Sequence, residues 1–143
     1  MKYPHDVQSE WLHKLLTTAK DTEWGRRYKY GEIDSLVQFK ERVPINTYEG
    51  LEKDIDRTLK GEQGILWPTP IKMFAKSSGT TNSKSKFIPV SEESLEECHY
   101  KGGKDLISLY YNQFPDSRLM AGKGLVMGGS SNFVPLNDET YYG

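Results

Sequence analysis

The residues best suited to chemistry lie in one polar segment, from residue 76 to residue 86. Six of its eleven residues are Ser or Thr, three are Lys and one is Gly. Hydroxyl and backbone N–H groups donate short hydrogen bonds, and lysine adds mobile positive charge. Gly79 allows the backbone to approach a ligand closely. This combination favours a ligand rich in acceptor oxygens, such as a polyphosphate. A flexible Ser/Thr-rich hairpin loop is the alternative explanation.

The charge of the surrounding sequence also indicates an anionic partner. The chain has 143 residues, with 19 basic and 20 acidic residues and a net charge of −1. Between Gln63 and Ser91, however, there are four lysines and no acidic residue. A positive stretch in a mildly acidic chain is typical of an anion site, although solvated surface lysines give the same count. The near-neutral total argues against a nucleic-acid partner.

The flanking residues decide which kind of phosphate loop this is. Residues 71–76 alternate in character and predict a strand, and Lys86–Val90 predicts a second strand. A Walker-type loop leads into a helix, so that class is excluded. The segment Gly122–Gly124 lacks the third glycine of a dinucleotide fingerprint, because Met127 occupies that position.

Around the loop, the pattern predicts an α/β fold with a helical first half. Residues 1–62 are expected to be mainly helical, with apolar stripes over 7–19 and 48–59 and a short helix from Ser35. Asp6 is the expected N-cap of the first helix. Gly61 fits a helix stop.

Residues 63–143 read as α/β, in the order strand, loop, strand, helix, strand. The helix is expected over 92–112, with a kink or a close contact at Gly102 and Gly103. A short buried strand is expected over 124–129. Residues 130–143 show turn signals and no closing helix or strand.

The predicted helix after the loop carries a second candidate site. Ser94, Cys98 and Gly102 are four residues apart and therefore share one face. All three are small, which leaves room for a ligand beside the helix. The alternatives are a buried core cysteine at Cys98 and close helix packing at Gly102. One cysteine and three scattered histidines predict no disulfide framework and no metal site.

The loop motif resembles the phosphate-binding signature of adenylate-forming enzymes, the superfamily of firefly luciferase and the acyl-CoA synthetases. The match runs from Ser77-Ser78-Gly79-Thr80-Thr81 to Lys86. Asn82 replaces the usual glycine, Ser85 replaces the proline, and the loop is one residue longer. With these departures and the following Phe87-Ile88-Pro89, the segment resembles one branch of the superfamily, the auxin-responsive family of acyl acid–amido synthetases.

The resemblance implies that a carboxylate is activated with ATP and Mg²⁺ to give an acyl-adenylate and pyrophosphate, and that an amine or amino acid then attacks. By motif position, the residues expected to hold the ATP phosphates are Ser77, Ser78, Gly79, Thr80, Thr81 and Lys86. Lys84 is expected to contribute to the positive field. In that family the following helix, with Ser94, Cys98 and Gly102, borders the acyl-acid pocket.

The resemblance also implies that 1–143 is the N-terminal portion of a larger adenylation domain. The family's two later motifs and its mobile C-terminal domain are absent, so the catalytic residues remain unknown and the isolated chain is expected to be inactive. Unpaired strand edges predict self-association. The sequence has no membrane-length apolar stretch and no signal peptide, which predicts a cytoplasmic protein. The competing interpretation is a non-catalytic nucleotide- or polyanion-binding module.

Overall fold

The computed structural model describes residues 3–77, 85–125 and 132–143. Its first half is helical, as the apolar stripes predict. A 3₁₀ turn at Tyr30–Glu32 separates the second helix from the third. The helices are α1 Pro4–Ala19, α2 Glu23–Arg27, α3 Leu36–Arg42 and α4 Tyr48–Leu59.

Local hydrogen bonds explain where these helices begin. At α3, the Ser35 hydroxyl accepts from the Gln38 N–H (3.3 Å), and the Gln38 side chain accepts from the Asp34 N–H (2.8 Å). The first helix begins at Pro4 with Tyr3 as N-cap, so an N-cap at Asp6 was the wrong expectation. Proline is tolerated there because the first N–H groups of a helix have no intrahelical partner.

The junction between α1 and α2 is closed tightly at Gly25. The Thr22 hydroxyl donates to the Ala19 carbonyl (2.7 Å) and accepts from the Gly25 N–H (2.9 Å). A Cβ atom at Gly25 would lie 2.0 Å from the Ala19 carbonyl oxygen. Only glycine therefore fits at this position.

Four short strands form one sheet in the described part of the chain, in the order β2-β1-β4-β3. They are β1 Met73–Lys76, β2 Phe87–Val90, β3 Val134–Pro135 and β4 Tyr141–Tyr142. β1 and β2 are antiparallel, and β1 and β4 are parallel. The predicted strand–loop–strand unit is thus a hairpin, with β2 at the edge of the sheet.

The helix after β2 is present but irregular. It runs as α5 Glu92–Ser94, a π-helical turn Leu95–Tyr100 and α6 Lys101–Gln113. The irregular turn lies before Gly102 and Gly103, and a Cβ atom at either glycine would meet nothing within 4 Å. The expected close contact at these glycines is wrong, since both face open space.

The chain's last described segment corrects a further expectation. Residues 132–143 contain β3 and β4, although the sequence pattern showed no closing strand. The segment is also tied to the end of α4, because Thr140 Oγ1 (2.9 Å) and Asn137 Nδ2 (2.8 Å) both donate to the Leu59 carbonyl. The strand predicted over 124–129 is not seen at residues 124 and 125, and residues 126–129 lie outside the described part.

The core lies between α4 and the sheet. Ile55, Ile71 and Phe74 form its centre, and the Phe74 side chain has no exposed surface. The predicted stripe of α4 supplies one wall, as its spacing requires. In the described residues, every buried hydrophobic side chain lies between Leu16 and Phe74. The mixed helix-and-sheet fold expected from the sequence is confirmed.

A buried carboxylate joins α2 to α4. Asp54 accepts from Trp24 Nε1 (2.6 Å), Arg27 Nη1 (3.1 Å) and Arg57 Nη1 (3.3 Å). Burial alone raises the pKa of Asp54, but the Trp24 and Arg27 donors outweigh it and hold that pKa below its ordinary value. Arg57 also binds Glu23 (2.8 Å), so a connected set of ion pairs holds α2 against α4.

Candidate phosphate-binding site

Two residues close the base of the predicted loop. The Ser77 N–H donates to the Lys86 carbonyl (2.9 Å), and the Lys86 N–H donates to Ser77 Oγ (3.0 Å). The hairpin therefore fixes the first and last of the predicted phosphate-binding residues beside each other. The other four predicted binding residues and one further lysine lie outside the described residues. They are Ser78, Gly79, Thr80, Thr81 and Lys84.

The Lys86 side chain leaves the hairpin toward the N-terminus of α4. Its Nζ is 3.1 Å from Glu49 Oε1 and 4.8 Å from the centre of the Tyr48 ring. The Lys86 side chain is 41% exposed and the Glu49 side chain 67%. Ion pairs this exposed are screened by water and contribute little to stability. The ammonium group is therefore positioned but remains open to exchange.

Tyr48 anchors the same arm of the hairpin. Its hydroxyl accepts from the Phe87 N–H at 3.1 Å. This N–H points away from β1. Because β2 is an edge strand, no neighbouring strand can accept a hydrogen bond from it. Tyr48 also packs against the Ile55–Ile71–Phe74 cluster. The core thus sets the position of the backbone that carries Lys86.

A second lysine stands at the base of the loop's other arm. Lys76 Nζ lies 4.9 Å from the Tyr142 ring centre and 6.0 Å from that of Phe87. These two rings meet edge to face at 5.3 Å. Lys76 has no carboxylate partner among the described residues. It was not among the binding residues predicted from the motif, although the acid-free stretch that contains it was a usable signal.

Glu49 is the one acidic group in contact with these lysines in the described part of the chain. Its pKa is lowered to about 2, first by its own backbone N–H and then by Lys86 and Thr47. Glu49 is therefore ionised at neutral pH. With Lys76 and Lys86 both cationic, the described base of the loop has a net positive charge, which suits an anionic ligand.

A cavity of about 440 Å³ lies between α1 and the start of the α5 helix. Ser94 and Cys98 both line it, together with Trp11 and Trp67, whereas Gly102 does not. Cys98 is exposed, so the interpretation as a buried core cysteine is wrong.

Several polar groups that line this cavity already form hydrogen bonds within the protein. Glu93 accepts from Thr69 Oγ1 (2.9 Å) and Trp67 Nε1 (3.3 Å), and the Ser94 hydroxyl donates to the Ser91 carbonyl (2.7 Å). Lys14 and Glu97 pair at 3.5 Å, both well exposed. The cavity is thus a mainly apolar groove lined also by the charged side chains of Lys14, Glu93 and Glu97.

Two further features are absent from the described residues. No group of three or more His, Cys, Asp or Glu side chains there is arranged to hold a metal ion. Within the same residues, no helix has the length and apolar character needed to cross a membrane.

Comparison with known proteins gives a consistent family match. The model of the GH3 family N-terminal domain matches residues 1–138. The indole-3-acetic acid-amido synthetase GH3.4 of Arabidopsis thaliana is 32% identical over 123 residues, which are 85% of this chain and 20% of that protein. The jasmonoyl–L-amino acid synthetase JAR4 of Nicotiana attenuata is 40% identical over 92 residues, 63% of this chain and 16% of that protein.

Solved structures agree with this match. The GH3.15 acyl acid amido synthetase superposes with a TM-score of 0.77 at 28% identity, over 96% of this chain and 24% of that one. The same synthetase in complex with 2,4-DB gives a TM-score of 0.79 at 26% identity, over 98% and 24%. The chain therefore spans less than a quarter of the length of each of these proteins.

Proposed function

Because the chain belongs to the GH3 family, we propose that it supplies the ATP-phosphate-binding segment of a ligase that joins an acyl acid to an amine or amino acid. The observation that carries the proposal is the closed hairpin base, where Ser77 and Lys86 bind each other and Lys76 stands nearby without a carboxylate partner in the described residues. The amido synthetases named above support the reaction class. The complete reaction is proposed for a protein in which this chain forms the N-terminal part.

In the proposed reaction, a carboxylate oxygen attacks the α-phosphorus of ATP. The bond to the β-phosphate oxygen breaks, which releases pyrophosphate and leaves an acyl-adenylate. An amine nitrogen then attacks the acyl carbon, AMP leaves and the nitrogen loses a proton. The contribution of this chain is electrostatic, because charge develops on the leaving pyrophosphate and preorganised donors stabilise it.

The phosphate contacts are proposed for the six residues of the motif. Ser77 already accepts the Lys86 N–H, but its hydroxyl hydrogen remains available as a donor to a phosphate oxygen. Lys86 is proposed to supply positive charge from one arm of the hairpin and Lys76 from the other. The six residues are Ser77, Ser78, Gly79, Thr80, Thr81 and Lys86.

The described side chains do not form a magnesium site of their own. Mg²⁺ commonly takes most of its ligands from phosphate oxygens and water when it accompanies a nucleotide. We therefore assign no magnesium ligand to this chain and derive no step through the ion.

The apolar groove between α1 and the π-helical turn is the proposed place for the acyl acid. Trp11 and Trp67 offer apolar surface, and Ser94 and Cys98 leave space between them. Gly102 does not line this wall, so it is not part of the proposed pocket.

The proposal is tested by nucleotide binding to the 143-residue chain. The double variant Thr80→Ala/Lys86→Ala should weaken ATP binding about tenfold or more, because hydrogen bonds to charged groups are lost. Its unfolding free energy should stay within about 0.5 kcal/mol of the parent. Lys53→Ala, an exposed change on α4, is the matched control and should bind ATP normally. Equal ATP affinity in the double variant would contradict the assignment.

ATP–pyrophosphate exchange tests the second part of the proposal. We propose that the isolated chain gives no acid-dependent exchange, because the two later motifs of the family are not found in its sequence. The alternative is a polyanion-binding module. It would be supported if the chain bound ATP no better than inorganic tripolyphosphate, and if a longer protein containing the chain also showed no preference for the nucleotide.

A further inference from the structure

Glu49 Oε1 lies 3.1 Å from Lys86 Nζ, the distance at which a phosphate oxygen would accept a hydrogen bond from the same ammonium group. We propose that Glu49 is an internal counter-ion that holds the Lys86 ammonium group until a phosphate displaces it, while Tyr48 keeps the lysine backbone in place. This inference rests on the proposed function of the loop. It adds two positioning residues, both at the N-terminus of α4, to a site whose predicted residues all lie between 77 and 86.

The backbone of Lys86 is fixed without any help from Glu49. Ser77 binds its N–H and its carbonyl on one side, at 3.0 and 2.9 Å. On the other side, the Tyr48 hydroxyl binds the next N–H, that of Phe87, at 3.1 Å. Only the flexible side chain of Lys86 is therefore free to change partner. Exchange of the ammonium group requires no movement of the hairpin.

The pair between Glu49 and Lys86 is weak enough to be exchanged. Both side chains are substantially exposed, and water screens their attraction. A polyphosphate carries several negative charges and more acceptor oxygens than one carboxylate, so it competes successfully for a single ammonium group. The Tyr48 ring makes a cation–π contact with the same ammonium group, at 4.8 Å from the ring centre.

Glu49 also has partners that remain after Lys86 leaves. Its carboxylate accepts from its own backbone N–H, which makes the largest contribution to its low pKa, and interacts with Thr47. Glu49 stands in the first turn of α4, where the helix dipole favours a negative charge. Displacement thus leaves a stabilised carboxylate beside the bound phosphate. That residual negative charge reduces phosphate affinity, so its removal should increase the affinity.

The test uses inorganic pyrophosphate as the ligand of the full 143-residue chain. Calorimetric titration at neutral pH and low ionic strength compares the parent with Glu49→Gln and with the matched control Glu52→Gln. Glu52 is exposed on the same helix and its variant makes the same change of charge. Glu49→Gln should lower the Kd about two- to fivefold, and the gain should shrink as salt is added. Glu52→Gln should leave the Kd unchanged.

A second measurement reads the ion pair without any phosphate. A ¹³C NMR titration of the Glu49 carboxyl carbon should give a pKa of about 2 in the parent. In Lys86→Gln the pKa should rise, because one of its donors is gone, but stay below the ordinary value while the backbone N–H remains. Tyr48→Phe should leave this pKa low and lower the unfolding temperature, since the Phe87 N–H loses its partner.

The outcomes separate this inference from the function on which it rests. Pyrophosphate binding by the parent with an equal or higher Kd in Glu49→Gln would overturn the counter-ion proposal and leave the phosphate loop standing. An unchanged pKa of Glu49 in Lys86→Gln would overturn the counter-ion proposal in the same way. No pyrophosphate binding by the parent or by any variant would overturn the proposed function of the loop and the displacement model together.

Discussion

Two regions of this molecule differ in how they are held. The first, residues 3–76, contains every buried hydrophobic side chain of the described chain. The second comprises residues 85–125 and 132–143. Its only residues with less than one tenth of their surface exposed are the polar Ser91 and Thr140. Along α6, no residue is buried. The first region contains the centre of the core, whereas the second is attached to it by strand pairing, a few hydrogen bonds and the partly buried side chains of Phe87 and Tyr142.

The candidate phosphate-binding site lies where these two regions meet. Lys76 ends the last strand of the first region, and Lys86 precedes the first strand of the second. Tyr48 connects the Lys86 arm directly to the core. Substitutions in the first region should therefore change the stability of the whole chain. Substitutions in the second should act locally or hardly at all.

The largest expected effect comes from the centre of the core. Phe74→Ala should cost about 3–5 kcal/mol of unfolding free energy, since the side chain is fully buried and leaves a cavity. Phe114→Ala, which removes the same atoms at an exposed position after α6, should cost less than about 1 kcal/mol. Urea unfolding measures both. Similar costs for the two variants would remove the distinction between the regions.

The next effect concerns the carboxylate between α2 and α4. Asp54→Ala should cost about 2–4 kcal/mol, because Trp24 and two arginines lose a shared partner of which only 8% is exposed. The cost stays below that of a fully buried pair, since both arginines reach solvent. Asp56→Ala, an exposed change on the same helix, is the control and should change stability by less than about 0.5 kcal/mol. Equal urea midpoints for the two variants would disprove the role of Asp54.

The same ion pairs predict how stability depends on pH. Arg57 lowers the pKa of Glu23 and Glu62, and the pKa of Asp54 is also low. These carboxyl groups bind protons less readily in the folded chain than in the unfolded one, whose pKa is about 4. Their contribution is therefore complete above about pH 5 and is lost as the pH falls through the lower folded pKa values.

Urea midpoints between pH 6 and pH 2 measure this dependence. The midpoint should fall steeply below pH 4, and Asp54→Ala should fall less steeply than the parent. An unchanged slope in that variant would show that the acid sensitivity arises elsewhere, for example at Glu49.

The smallest expected effects come from two glycines. Gly102→Ala should stabilise the chain by up to about 1 kcal/mol, because the position is helical and a Cβ atom meets nothing there. Gly61→Ala should destabilise it by about 1 kcal/mol, since Gly61 has φ +97° and the added carbon would lie 2.8 Å from the Glu139 carboxylate. Thermal unfolding of both variants should therefore shift in opposite directions. A loss of stability in Gly102→Ala would mean that α6 is packed against something.

The sequence predicted those elements whose signals are local. The α4 stripe, the helix stop at Gly61 and the hairpin strands follow from spacing and turn chemistry over a few residues, and all are present. β4 was missed because its two residues show no period. Its identity as a strand comes from pairing with Met73 and Phe74, which are far away in the chain.

The same limit applies to the site. The composition of the loop favoured an anionic ligand, and the structure shows that the hairpin brings Ser77 and Lys86 together. Tyr48 and Glu49 were placed in a predicted helix but not in the site, because nothing in their local sequence links them to residues almost forty positions later. Lys76 was visible as one lysine of the acid-free stretch, but its place beside Tyr142 depends on the parallel pairing of β1 with β4.

The parallel pairing of β1 with β4 has a consequence for the order of folding. The hairpin of β1 and β2 closes over a short loop, while β4 must return from the far end of the chain to reach Met73. Because closing a longer loop costs more chain entropy, this pairing should form late and slow the folding reaction. The arms that carry Ser77 and Lys86 would then meet early, before the sheet is complete. Protection of the Tyr141 amide, which donates to the Lys72 carbonyl at 2.9 Å, should accordingly develop after protection of the Ser77 amide during refolding.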